Sequence, residues 1–572
     1  MVFVNIICSL FLLGSLLFYK FVFPRKKINL LFLLFLIFIF STLSIFRAGS
    51  YESGDFNIHI YRTMDFFKSL TDGNLMPSWA ENLNATYGYP LFIFNYTLPY
   101  YIISLFHWIG FSFIGSLKMF LAFNIALSGI FMFLFTKKLF KKDLPAFVSS
   151  IFYVFAPYHL IDIHFKVVIG EILFFTVLPL AFLSAYELRN KKNLFSVLIL
   201  ALSFAALIMS HLAIAIFAGI LMLFFIFLHS SKNDFKTLSL HSILGFSISL
   251  IISSYTWLGP LLLSKYSYIQ NIILKTAYFP TIQDLLYSPW RMGLLFQGPK
   301  GEISFLLGYA HLFIIAFTLF LICKKKILKE VFSDVLFWLI TFFITVFLIL
   351  PCSKTLWENL PIIKVVGSHR LLILTSFTSS IIAGYFAFIV KKRLLIYLLV
   401  FVAIVSTILN WGQRRVIPEI NDAVLQKNLE KSTSETEGHF YANTKWVDIK
   451  HPWFSITPNN HLQIINDTGK ISDISRTSVS HKYTITAKTP LKIQENTLYF
   501  PGWKGFINGR EIFLSPSNKG IINANIPKGT FTFEVIYEDI FIYKLLKIIS
   551  LSAFIITTIC LIIIKIRPSS RL

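Results

Sequence analysis

Residues 54–70, GDFNIHIYRTMDFFKSL, carry a carboxylate, an imidazole and a guanidinium at Asp55, His59 and Arg62. Read as a helix, the three fall at i, i+4 and i+7 and share one face. Such a face can take up a proton and hold a phosphate. A second polar stretch, APYHLIDIHFKVVIGE at 156–171, adds Tyr158, Asp162, His164, Lys166 and Glu171. A third, PCSKTLWENLPIIKVVGSHR at 351–370, ends on His369 and Arg370.

Each residue also has a plainer explanation. A helix lying at a membrane surface has a wet polar face without any chemistry. Glu171 at the start of an apolar run is favoured by the helix dipole alone, and Lys166 can extend its ammonium to an interface. His211 reads as a structural histidine. His159 and His164 lack a spacing specific for zinc, so no metal ligand and no certain cofactor is assigned, and a divalent ion stays open. Two positions resist the plainer explanations. Asp55 stands a few residues past the apolar run 28–47, where a carboxylate is poorly stabilised without a partner or a task. Arg370 opens an apolar run on a side where basic residues are scarce.

The elements that must position these groups are membrane helices. The chain is 56% hydrophobic with 63 phenylalanines, which excludes an ordinary soluble domain. Its apolar runs recur near the length that crosses a bilayer core of ~30 Å. The net charge of +24 does not point to nucleic acid, because Lys and Arg gather in short clusters between those runs. PRKK at 24–27, KKLFKK at 137–142, RNKK at 189–192, KNDFK at 232–236, KKKILK at 324–329, KKR at 391–393 and KIRPSSR at 565–571 are assigned to the cytoplasmic face. Parity then closes if the aromatic segment 91–113 does not cross. About 13 spans are expected, beginning outside and ending inside, with the first apolar run retained as a span. Cys8, Cys323, Cys352 and Cys560 show no pairing pattern.

The expected fold is therefore an all-α polytopic membrane domain over 1–411, with a first outer loop at 48–116 containing interfacial helices. A β-rich domain at 412–540 follows, on the extracytoplasmic face, and 541–572 forms a final span and cytoplasmic tail. Alternating stretches such as KYTITAK and GTFTFEVIYED, with Asn508-Gly509 and Pro527-Lys528-Gly529 as turns, predict a small sandwich there. The three polar stretches holding the candidate residues all fall on the outer side.

The acidic start of the first outer loop, followed by GYPLFIFNYTLPYYIISLF, resembles the GT-C superfamily of membrane glycosyltransferases. LMPSWAENLNATYGYPLFIF, APYHLIDIHFK, LPIIKVVGSHRLL and the tail YFPGWKGFINGREI resemble more narrowly the YfhO-like and the pyruvoyl-tetrahydropterin-synthase-related bacterial membrane proteins. The resemblance implies a GT-C-like fold and an inverting transfer of sugar from a polyprenyl-phosphate carrier to a glycan, lipid or protein acceptor, at the outer face of a bacterial plasma membrane. It implies Asp55 as general base and Arg370, Lys166 and Arg62 as candidates for the donor phosphate. His59, Tyr89, Tyr158, Asp162, His164, Glu171 and His369 would line or support the site. No Asp-x-Asp pair stands in the first loop, and VVGSH replaces the usual aromatic stretch before the boundary arginine. A lipid or glycan flippase would instead place ionisable groups at mid-membrane, where runs such as 194–208 and 212–228 have almost none. A non-catalytic assembly protein, using the β-domain as its contact surface, is the other alternative.

Overall fold

A computed structural model describes residues 2–268, 279–287, 304–359, 367–390, 392–407, 411–412, 415–429, 442–447, 456–466 and 469–566. Much of the stretch 263–303, and residues 360–366 of the third polar stretch, lie outside these.

Apolar sequence becomes helix almost wherever it runs on, because a backbone in lipid must satisfy its own hydrogen bonds. Helices α1 (Val2–Val22) and α2 (Leu30–Thr42) lead to a first long connecting segment, the first loop, which contains α3 (Phe56–Thr71), α4 (Leu91–Phe94) and α5 (Leu98–Trp108). After it come α6 (Phe113–Phe140), α7 (Asp143–Val154), α8 (Pro157–Ile161), α9 (Ile169–Lys191), α10 (Leu194–Ser210), α11 (Leu212–Phe227), α12 (Lys232–Ile252) and α13 (Ser254–Leu263). Then follow α14 (Ile282–Leu286), α15 (Tyr309–Cys323), α16 (Lys329–Ile349), α17 (Lys354–Asn359), α18 (Leu372–Ile389), α19 (Arg393–Val405), α20 (Asp422–Leu429) and α21 (Phe541–Ile566). Among the described residues six helices are long and apolar enough to cross a membrane, or seven if the bent pair 143–154 and 157–166 is one span; six more apolar helices are shorter. Most of the apolar runs read from the sequence become helix, but fewer of these helices reach spanning length than the about 13 spans expected.

Two runs differ from their expected form. The segment 91–113 is not one continuous helix: α4 ends at Asn95, whose backbone is extended, and α5 restarts with Pro99 in its first turn. All four residues of α4 are buried, so this part packs inside the protein. The run 144–160 breaks at Ala156, before Pro157, and turns by 47°. Proline supplies the break, since it cannot continue the backbone hydrogen bonds and disfavours helix at the preceding residue.

The carboxy-terminal β-region forms two antiparallel sheets. Strands β1 (Ser50–Tyr51) and β2 (Val416–Ile417) pair separately and tie the first loop to the chain returning from α19. The four-stranded sheet contains β3 (Leu462–Ile464) and β6 (Leu491–Leu498), with β9 (Ser515–Pro516) and β10 (Ile521–Ile526), in the order β3-β6-β10-β9. The five-stranded sheet contains β4 (Gly469–Arg476), β5 (Ser480–Ala487), β7 (Trp503–Ile507), β8 (Arg510–Ile512) and β11 (Gly529–Tyr537), in the order β4-β5-β11-β7-β8. Asn508 and Gly509 join β7 to β8 with φ of 48° and 81°, the doubly positive geometry of a tight hairpin turn. The Pro527-Lys528 turn carries the chain from one sheet to the other.

The β-region is packed onto the first loop. Glu81 receives a hydrogen bond from Trp79 Nε1 at 3.1 Å and pairs with His481 at 3.0 Å and with the Arg476 guanidinium. Arg476, His481 and Tyr483 converge on Glu495 of the other sheet at 3.1, 2.9 and 3.0 Å. These cations hold both carboxyls below the usual range, Glu495 at about 2, against the opposing effect of burial. The rings of Trp79, Trp503 and Tyr537 meet beside the cluster, with centroids 5.4 Å apart. Lys547 of α21 completes the attachment through Asp539, Ser78 and the Met76 carbonyl, each at 2.5 Å.

Candidate functional site

The site begins with two loops stitched backbone to backbone. The chain after Ile161 makes a π turn, Asp162–Lys166, closed by the Val167 N–H donating to the Asp162 carbonyl at 2.6 Å. Val167 leaves it in the left-handed region with φ of 58°. A wide turn of this kind is uncommon and frequently marks a functional site. The first loop pairs with it: Gly54 N–H donates to Phe165 O at 2.7 Å, and Asp55 N–H to Lys166 O at 2.9 Å. Gly54 permits the approach, because a Cβ there would lie 2.8 Å from the Lys166 carbonyl.

Asp55 starts α3 but makes no side-chain cap bond to it. Its carboxylate is turned toward His59, 4.0 Å away, and keeps 37% of its surface open. The protein surrounding this mouth raises the Asp55 carboxyl above its usual range, while Arg62, Lys166 and Arg370 draw it back down. His59 is buried and its Nδ1 lies 3.0 Å from Tyr100 Oη. Arg62, one turn further on, is completely buried. The sharing of one face by Asp55, His59 and Arg62 is thus legible in the sequence.

Behind Asp55 lies an ion network centred on Glu171. This carboxylate is fully buried in the first turn of α9. Lys166 Nζ reaches it at 2.8 Å, Tyr158 Oη donates to it at 2.8 Å, and Arg370 Nη1 lies 3.1 Å from its other oxygen. Lys166 also donates to Tyr158 Oη at 2.8 Å and lies 3.6 Å from Asp162. Two cations and a phenol therefore compensate a buried carboxylate, which would otherwise be strongly destabilising. Arg370 keeps 30% of its side-chain surface open, whereas Lys166 keeps 7%. Among the described residues of α3's start and this network, the partly open ionised side chains are thus Asp55 and Arg370.

The remaining candidates divide. His369 precedes Arg370 in the short helical turn Ser368–Leu371 and lies against Phe305, centroids 5.3 Å apart. His164 is fully buried on the far side of the π turn, toward the Ser41 backbone. His159 stacks on Phe175 at 4.0 Å and bonds the Tyr153 carbonyl, a structural arrangement. Tyr89 is fully buried in a short antiparallel bridge with Ala80, under the β-region. Three residues not singled out for the site also belong to it. His211 bonds the Arg370 guanidinium, Tyr100 holds His59, and Tyr96 stacks near Tyr100 and faces His211, with centroids 6.3 Å apart in both cases. Gly170 lets Tyr96 close on α9, since a Cβ would lie 2.6 Å from its ring. The sequence signal for the tyrosines was the aromatic density of 89–101. Among the described residues no group of three or more His, Cys, Asp or Glu is arranged to hold a metal.

Comparison with known proteins gives three findings. An uncharacterized protein of Lactococcus lactis subsp. cremoris (strain MG1363) is 26% identical over 218 residues, covering 37% of this chain and 36% of the relative. The chain thus spans about a third of that relative's length. The cryo-EM structure of the arabinofuranosyltransferase AftD from Mycobacteria aligns with a TM-score of 0.44 and 13% identity, over 68% of this chain and 27% of that one. The family described as 6-pyruvoyl-tetrahydropterin synthase related domain, membrane protein, matches residues 94–417. That range holds Lys166, Glu171 and Arg370, while Asp55 precedes it. It covers more than half of the 572 residues, and the protein belongs to this family of membrane proteins.

Proposed function

We propose that the protein is a glycosyltransferase that moves a sugar from a polyprenyl-phosphate carrier to an acceptor hydroxyl at the extracytoplasmic face. The observation carrying this reading is the mouth itself. One carboxylate, Asp55, and one guanidinium, Arg370, stay partly open, Arg370 held by the buried Glu171 and Asp55 by its backbone bond to Lys166. Asp55 would take the proton from the acceptor hydroxyl as its oxygen attacks the anomeric carbon. The bond to the carrier's phosphate oxygen would break from the opposite face, inverting the centre. The electron pair would leave on the phosphate, with Arg370 balancing the charge. A raised carboxyl suits Asp55 to this role, since a base works best with a pKa close to the working pH. Lys166 and Arg62 are too enclosed to meet a headgroup directly and would act through the field they set. The active-site side and the orientation of the spans rest on the placement of the basic loops.

The test is transfer in membranes, using radiolabelled polyprenyl-phosphate sugars and a panel of acceptors. Asp55→Asn keeps the size but cannot accept the proton, so turnover should fall by roughly 10²–10⁴ with donor binding retained. Arg370→Ala should chiefly weaken donor binding. Near-normal turnover by Asp55→Asn would remove Asp55 from the role of base.

A further inference from the structure

A cavity of about 1340 Å³ lies away from this site, between α1, α2, α6, α7 and α19. Its wall is apolar over most of its length, from Lys27 beside α2 to Phe40 and Trp411 at the far end. Between Leu30 and Phe40 the helix rise gives a depth of roughly 15 Å. That is about half of a ~30 Å hydrocarbon core, one leaflet's share. The other end is cationic. Lys20, Lys27, Lys137 and Arg393 all line it, against a single carboxylate, Asp143, which Lys137 meets at 2.9 Å. Lys27, Lys137 and Arg393 come from three of the clusters assigned to the cytoplasmic face, and Lys20 from the last turn of α1.

We infer that this cavity is a binding site for an anionic phospholipid of the cytoplasmic leaflet, its phosphate among these cations and its acyl chains along the apolar wall. Any lipid chain satisfies the wall. The excess positive charge at one end selects the headgroup, as basic pockets between membrane helices do. A zwitterionic lipid would place its own ammonium among four cations and gain little. The lipid would fill the space between α1 and the remaining lining helices, with α2 packed against α6, and the chain leads from α2 directly into the first loop. The site does not depend on the transferase reading, because its ligand is structural and none of its cations lies among the residues around Asp55.

The experiment uses the full chain, purified in detergent, with retained lipid measured by native mass spectrometry and by the shift in Tm. Dioleoyl-phosphatidylglycerol should be retained at least tenfold more strongly than dioleoyl-phosphatidylcholine and should raise the Tm. Lys27→Gln and Arg393→Gln should each weaken phosphatidylglycerol retention roughly fivefold, and together roughly thirtyfold. Leu33→Trp, which narrows the wall and leaves every cation in place, should also reduce it. Lys325→Ala with Lys326→Ala, in a separate basic loop, should leave it unchanged. Equal retention of the two lipids overturns the inference. So does a preference that survives loss of both cations, or displacement of phosphatidylglycerol by stoichiometric undecaprenyl phosphate.

Discussion

The backbone N–H of Asp55 donates to the carbonyl of Lys166 at 2.9 Å. One hydrogen bond thus joins the open carboxylate of the first loop to the lysine that balances Glu171 in the second. Position and charge at the site are set by the same contact.

Gly54 tests this join. A methyl group there would meet the Lys166 carbonyl at 2.8 Å, and backbone cannot move aside cheaply. Gly54→Ala should displace Asp55 and lower transfer by about 10²-fold, the scale of a 1 Å misplacement. Expression and Tm should change far less. A fully active Gly54→Ala would show that the strap is dispensable.

Glu171 should be essential to folding more than to chemistry. Glu171→Ala leaves Lys166 and Arg370 facing each other without their shared carboxylate, a loss of about 3–5 kcal/mol for a broken buried pair. Adding Lys166→Met to Glu171→Ala should recover part of this stability, because it removes one of the stranded charges. Denaturant or thermal unfolding of the two variants in the same detergent measures the difference.

Asp65, on α3, gives a pH dependence with a definite sign. Its Oδ1 accepts from Asn82 N–H at 2.9 Å and from Asn82 Nδ2 at 2.6 Å, yet burial pushes the carboxyl up to about 7. A folded-state value above the unfolded one favours the neutral acid in the fold. Its stabilisation is therefore complete below about pH 4 and is lost as the pH rises through about 7. Asp65→Asn, which keeps the acceptor and carries no charge, should be more stable than wild type at pH 8, keep only about a third of that advantage at pH 5 and lose it below about pH 4. The full effect is at most about 4 kcal/mol.

Arg476 should control the attachment of the β-region. It links Glu81 of the first loop to Glu495. Arg476→Ala leaves two carboxylates close together with only His481 between them, and should lower the Tm and expose the 72–90 segment to protease. Glu81→Gln combined with Arg476→Gln should be milder than Arg476→Ala alone. Limited proteolysis followed by mass spectrometry reads both.

What the sequence discloses follows from the range of each interaction. The apolar runs, the Asn508-Gly509 turn and the shared face of Asp55, His59 and Arg62 depend on neighbours within a few residues, and they are visible in the chain. The convergence of Glu171 on Arg370, and of Arg370 on His211, joins positions far apart in sequence that no local spacing encodes. His164 illustrates the same limit from the other direction. Two residues from Lys166, it turns to the opposite side, as residues two apart do in any helical turn, and only the fold shows that this side faces α2 rather than the site. Tyr89 and α4 are enclosed because the β-region packs over the first loop, which local aromatic content does not reveal.

Lys547, near the start of the last helix, bonds Ser78 and the Met76 carbonyl in the first loop. The ribosome makes these partners nearly 470 residues apart. The first loop must therefore wait through the synthesis of the intervening helices. During biogenesis the loop that carries Asp55 stands without its final support until residue 547 has emerged. A chain stalled or cut before that point would hold every residue of the candidate site and still lack the bonds from the last described helix to Met76 and Ser78.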